Sequence, residues 1–130
     1  NKFDSLSQFE VADVLDFLKH LIERGEKYDL VILDPPSFTK SQKRLPTAKK
    51  GYKGINTNAM KLLREGGVLA TGSCSHHVTD EMFVEVINES AKAAGRGVQL
   101  LEWRGAGLDH PILPAMPETK YLKFGIFVLQ

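Results

Sequence analysis

The sequence predicts an α/β layered fold with a mostly parallel sheet. Three observations carry that expectation. Strand-like and helix-like patterns alternate along the chain. Tyr28–Leu33 (YDLVIL) is short, β-branched and apolar on both faces, the composition of a buried central parallel strand. Asp13, Asp34 and Cys74 each directly follow a predicted strand. In open parallel sheets, ligands bind outside the carboxyl ends of the strands, so these side chains should share one edge.

The elements follow in order. Phe9–Ala12 is a short extended candidate. Asp13 stands where a helix N-cap belongs, and Val14, Phe17, Leu18, Leu21 and Ile22 recur at helical spacing until Gly25 stops them. Tyr28–Leu33 ends at Asp34-Pro35-Pro36, because prolines cannot continue a sheet ladder. Thr39–Lys53 has Pro46, Gly51 and no period, which predicts a loop. Tyr52–Arg64 places Ile55, Ala59, Leu62 and Leu63 on one helical face, closed by Gly66-Gly67. Val68–Gly72 is the next strand and delivers Ser73-Cys74-Ser75-His76-His77 at its end. Thr79 caps a helix with Asp80 and Glu81 in its first turn, Phe83, Val86, Ile87 and Ser90 on its buried face and Gly95 at its end. Val98–Trp103 and Tyr121–Leu129 are the last strands. The proline-rich segment Gly105–Lys120 between them is too long for a tight hairpin.

At 130 residues, with 42% hydrophobic and 25% charged, the chain suits one ordered domain. A single cysteine excludes an internal disulfide and argues against a cysteine-based zinc site, pointing to a reducing, cytoplasmic setting. No apolar run approaches the ~20 residues that span a bilayer, and no signal peptide is evident, so neither a membrane nor a metal is expected as a partner. Net charge is +1, but its distribution is uneven. Between Asp34 and Glu65 there is no acid, while Lys40, Lys43, Arg44, Lys49, Lys50, Lys53, Lys61 and Arg64 fall in that interval. A basic flap over Thr39–Lys53 would neutralise phosphates; the plainer reading is a solvated loop.

Asp34-Pro35-Pro36-Ser37-Phe38 offers a carboxylate at a strand end, a stiff turn and an aromatic ring. That set suits gripping a planar base by its polar edge and its face. Equally, it suits a rigid connection in which Asp34 caps backbone amides. Cys74 can be a nucleophile if positive charge or a helix N-terminus favours its thiolate, or a small buried hydrophobe. His76 and His77 can serve as a general base, whereas as metal ligands they lack a spaced third partner, and the plain reading is surface histidines. Asp109-His110-Pro111 and Glu118–Lys123 are polar, proline-framed segments near the same edge, and Trp103 reads as packing.

The ordered series Asp34-Pro35-Pro36-x-Phe38, Gly51-Tyr52-Lys53, Ile55-Asn56, Leu62-Leu63, Gly66-Gly67 and Ser73-Cys74-Ser75, with Asp109-His110-Pro111 and Glu118–Lys123, resembles the S-adenosylmethionine-dependent large-subunit ribosomal RNA cytosine-C5 methyltransferases. The resemblance covers almost the whole chain. It implies a class I methyltransferase fold, Rossmann-like, with helices on both faces of the sheet, and ribosomal RNA as partner. Asp13 and Val14 match the position that meets the cofactor's adenine. Asp34 and Pro35 match the motif facing the methyl donor, and Asp34 also faces the target base. Cys74 matches the nucleophile. Pro36, Phe38, Lys50, Tyr52 and Lys53 match the substrate side.

The sequence departs from that pattern in places. Lys50 stands where Arg is usual, Gly54 and Ala12 stand where acids are usual, and Ser37 lies where some RNA cytosine-C5 enzymes carry a second cysteine. Losing Arg at position 50 keeps the charge but not the bidentate fork. No glycine-rich strand-turn for the cofactor precedes these elements. The expectation is therefore the C-terminal part of a catalytic domain over residues 1–130, without its upstream cofactor strands and N-terminal RNA-binding domain, and inactive in isolation. Two alternatives stand beside it: methylation of an exocyclic amine through the Asp-Pro-Pro motif, and a non-catalytic RNA-binding module.

Overall fold

The computed structural model describes residues 6–39 and 41–130. In chain order the elements are α1 (Val14–Glu23), β1 (Tyr28–Leu33), a 3-10 turn (Gln42–Arg44), α2 (Leu45–Leu62), β2 (Leu63–Ser73), α3 (Asp80–Ala94), β3 (Val98–Arg104), a second 3-10 turn (Pro117–Thr119) and β4 (Lys123–Leu129). The four strands form one sheet in the order β1-β2-β4-β3. β1 and β2 are parallel, joined by the α2 crossover, whereas β4 lies antiparallel to both β2 and β3. The described sheet is therefore mixed, because the long segment after β3 returns the chain alongside it rather than through a crossover helix.

Local chemistry explains most boundaries. Asp13 caps α1 by accepting from the backbone N–H groups of Leu15 and Asp16. Thr79 caps α3 through Met82 N–H, and Gly95 ends it in the left-handed conformation. Leu33, Thr71, Gly125 and Trp103 form one lateral row across the sheet. That face carries the core, where Tyr52 and Met60 of α2 and Phe83 and Ile87 of α3 are buried against Leu69 and Leu129. The described helices gather over this face, with α1 packed on α2.

Against expectation, the described sheet is mixed and not mostly parallel, and the described helices cover one face and not both. Three elements also differ. Residues 9–12 form no strand; Phe9 and Val11 lie open to solvent, with no neighbouring strand to pair with. β1 is an edge strand instead of a buried central one, and its Leu30 and Ile32 are 51% and 63% exposed, because only β2 pairs with it among the described residues. The stretch from Gln42 onward is not a loop. Pro46 sits in the first turn of α2, where its missing N–H costs nothing, so Lys49, Lys50 and Lys53 all stand on a helix. Lys40 lies outside the described residues. Among the described residues, no helix is long and apolar enough to cross a membrane.

Candidate active site

The C-terminal ends of β1 and β2 are neighbours, since the parallel register pairs Leu33 with Thr71. Asp34 leaves β1 at that edge and Cys74 leaves β2 at the same edge. Pro35 is buried and anchors the turn, while Asp34 and Pro36 are exposed. Asp34 makes no side-chain hydrogen bond or ion pair among the described residues, so the turn aims its carboxylate without consuming it. Cys74 is a free, exposed thiol. It is neither buried among aliphatic side chains nor at the opposite end of the sheet.

Asp13, Val14, Asp34, Pro35, Pro36 and Phe38 line one cleft of about 460 Å³, walled also by Leu15, Ile32 and Ile55. Asp13 reaches it from the start of α1 and not from a strand end. Its capping bonds use Oδ1 alone, at 3.0 and 3.2 Å. The cleft thus pairs an apolar slot with two carboxylates.

Beneath the rim the two loops are tied together. Ser75 Oγ donates to Thr39 O at 3.5 Å and Ser37 Oγ to the same carbonyl at 2.7 Å. Ser73 Oγ donates to the hydroxyl of Tyr52 at 2.9 Å. Tyr52 is fully buried, which corrects its expected place on the substrate surface: its ring is core and its hydroxyl is a strut. Burial pushes the phenol's pKa up; the Ser73 hydroxyl opposes this, Cys74 adds to it and the Phe38 backbone lowers it, so both loops bear on this one oxygen. Phe38 packs edge-on to Tyr52 at 4.7 Å between centroids. The ring lies where a Cβ on Gly51 would come within 3.2 Å, so Gly51 is the notch in α2 that lets Phe38 seat.

The basic residues divide. Lys49 and Lys53 pair with Glu85 and Glu89 of α3 at 2.8 and 2.9 Å. Lys53 is therefore engaged within the fold, which weakens its expected part in binding substrate. Lys43, Arg44 and Lys50 are exposed and make no ion pair among the described residues. His76 is exposed and shares a second cleft of about 580 Å³ with Pro117 and Glu118. Asp109 and His110 pair with each other in the exposed loop after β3 and do not line the cleft between Asp13 and Phe38.

Sequence reasoning placed Ser73, Ser75 and Lys123 in segments near this edge but gave them no part in holding it, and it gave Thr39 none either. Lys123 is 3% exposed, with Nζ donating to Ser75 O and Val78 O. No periodicity marks such residues, although Lys123 does fall on the inward phase of β4 with Gly125, Phe127 and Leu129.

No protein-family model matches the chain. It is 44% identical over 124 residues to ribosomal RNA large subunit methyltransferase I of Escherichia coli (strain SMS-3-5 / SECEC). It is 43% identical over the same length to the protein of that name from Shigella boydii serotype 18. Each match covers 95% of this chain and 31% of the relative, so the chain spans about a third of their length. Among solved structures it superposes on a protein described as a methyltransferase, complexed with SAH, with a TM-score of 0.75, 22% identity and coverage of 91% of this chain and 30% of the other. A protein from Streptococcus mutans described as a SAM-dependent methyltransferase gives 0.74, 23% identity and the same coverage. These structures share the fold. In sequence, the chain is similar to ribosomal RNA large subunit methyltransferase I proteins along about a third of their length, and in structure it shares the Rossmann-like α/β fold of these solved proteins.

Proposed function

We propose that this chain forms the substrate-side part of an S-adenosylmethionine-dependent methyltransferase that modifies C5 of a cytosine in large-subunit ribosomal RNA, in the cytoplasm, through a Cys74 adduct. The observation that carries the reading is an exposed thiol and an unengaged carboxylate leaving adjacent parallel strands at one edge. The relatives' names support the rRNA substrate, and the solved neighbour with SAH supports the cofactor.

The cleft fits part of such a cofactor. Val14, Leu15, Ile32 and Ile55 offer an apolar slot for a flat ring, while Asp13 and Asp34 offer acceptors and Pro35 the backbone that fixes them. The rest of the pocket would come from residues outside this chain. When bound, the cofactor supplies an electrophilic methyl group.

This chain's residues then act on the base. The Cys74 thiolate adds to C6, and the electron pair of the C5–C6 bond becomes available at C5, which is otherwise a poor nucleophile. Cytosine N3 takes a proton as the thiolate adds, which removes the negative charge that addition would otherwise leave on the ring, and the Asp34 carboxylate accepts the N3–H hydrogen bond and holds that edge. After C5 takes the methyl, its proton passes to water, the electrons of the C5–H bond return to the ring and expel the Cys74 thiolate from C6, and N3 gives up its proton as the double bond is restored. Pro36 and Phe38 border the base, and Lys50 with Lys43 and Arg44 meets RNA phosphates.

The test is Cys74→Ala in the full-length natural protein carrying these residues. Loss of methylation with unchanged cofactor binding by calorimetry is expected. Undiminished methylation would favour an exocyclic amine as target, and absence of cofactor binding by the unmutated protein would favour an RNA-binding module.

A further inference from the structure

Lys123 is buried at the first position of β4, directly across from Ser73, the residue before Cys74. Its ammonium donates at 2.5 Å to Ser75 O and at 2.5 Å to Val78 O. Val78 N–H donates back to Ser75 O at 3.2 Å, so the ammonium clamps both ends of the turn that leaves β2 and enters α3. Ser75 in turn contacts Thr39 in the loop after β1. One cation therefore holds the turn that carries the thiol and, through it, the neighbouring loop.

An apolar chain would fill this space without desolvating a charge, so volume alone does not explain a lysine here. Asp80, whose carboxylate favours the Lys123 charge, makes no direct bond to it among the described residues: it accepts from Trp103 Nε1 at 2.9 Å and pairs with Lys120 at 3.3 Å. An ammonium has three N–H donors, and two are used on the turn. Burial lowers the Lys123 pKa, Asp80 and Cys74 oppose that, and Lys120 adds to it.

We infer that Lys123 is the positioning residue for Cys74: it locks the Ser75–Val78 turn so that the sulfur stays at the rim. This deepens the proposed function and rests on Cys74 being the nucleophile there.

Lys123→Met in the full-length natural protein is compared with the unmutated form by circular dichroism, by the rate of Cys74 alkylation with iodoacetamide at fixed neutral pH read on the Cys74 peptide, and by kcat and KM. In a folded K123M the alkylation rate should change about fivefold as the turn is released, and kcat should fall about tenfold, with KM for cofactor and RNA within about twofold. Unchanged alkylation in folded K123M overturns the assignment. Should K123M not fold, the unmutated protein decides. With 15N-labelled lysine, the Lys123 Nζ resonance should shift when methyl methanethiosulfonate blocks Cys74, and an unmoved resonance overturns the assignment. Both readouts are independent of methyl transfer. Normal methylation by C74A would therefore remove the nucleophile, whereas unchanged alkylation in K123M would remove only Lys123.

Discussion

Replacing Tyr52 by Phe removes one hydroxyl and nothing else from the strut beneath the site. The ring keeps its edge-on contacts with Phe38 and Phe83, at 4.7 and 5.7 Å between centroids. What is lost is the 2.9 Å bond to Ser73 Oγ, which among the described residues then keeps the 3.4 Å approach of Ser75 N–H. Both residues are essentially inaccessible to water, which cannot replace the partner. A net hydrogen bond plus a poorly satisfied hydroxyl is worth about 1–2 kcal/mol. For a folding unit of 130 residues, that lowers Tm by about 4–7 °C. The loss should depend on pH. Burial raises the phenol's pKa above 10.0, so the folded state keeps a proton that the unfolded state releases as pH rises past that value. The unmutated protein therefore loses stability above pH 10 that Y52F does not have, and the gap between them narrows. Thermal melts followed by circular dichroism, near neutral and above this pH, measure both effects. Equal melting temperatures near neutrality, or a gap that does not narrow, would refute the reasoning.

Gly51→Ala sets a gain in helix propensity of about 1 kcal/mol against a Cβ at 3.2 Å from the Phe38 ring. Stability should move by less than about 1 kcal/mol while RNA affinity falls about tenfold, and unchanged affinity would contradict the role of Phe38. The triple change K43A/R44A/K50A should weaken RNA binding and flatten its salt dependence by a slope of about 2, whereas K49A/K53A should change the slope little, because those lysines already pair with Glu85 and Glu89. An equal effect of both sets in filter-binding titrations would contradict that division. Thr71 is fully buried and its Oγ1 has no partner among the described residues, so Thr71→Val should raise stability by about 1 kcal/mol in denaturant titrations, and a fall would show that the hydroxyl is satisfied.

The parts of the fold legible in the sequence are those set by short-range chemistry. Asp13, Thr79 and Gly95 each sit where capping demands, and the strand end at Asp34-Pro35 follows from proline's missing donor. The shared edge of Asp34 and Cys74 follows from the parallel pairing of two recognisable strands. The illegible parts depend on packing at a distance. The first half of α2 is hidden by Pro46, Gly51 and a run of bases that all read as loop; it becomes helix because Gly51 receives Phe38 and because Glu85 and Glu89 take two of the charges. The apolar character of β1 does not reveal that it has only one neighbouring strand here. Tyr52 and Lys123 carry polar tips that read as surface chemistry, and only the tertiary structure shows those tips turned inward, holding the loops from below. Gly66, with φ of +72°, marks a further irregularity: it lets Arg64–Gly67 bulge between the Tyr28–Leu63 and Leu30–Val68 pairs, so β2 starts earlier than its glycines suggest.

The central claim, a covalent bond between Cys74 and the target pyrimidine, is tested most directly by RNA carrying 5-fluorocytosine at the methylated position. Fluorine at C5 cannot leave as a proton, so the adduct has no route to elimination once C5 has been methylated. Incubation of the full-length protein with this RNA and S-adenosylmethionine should give a protein–RNA complex stable to denaturant. Mass spectrometry should place the bond on Cys74, and C74A should form none. A protein that methylates ordinary RNA yet yields no such complex, or one linked through another residue, would contradict the account.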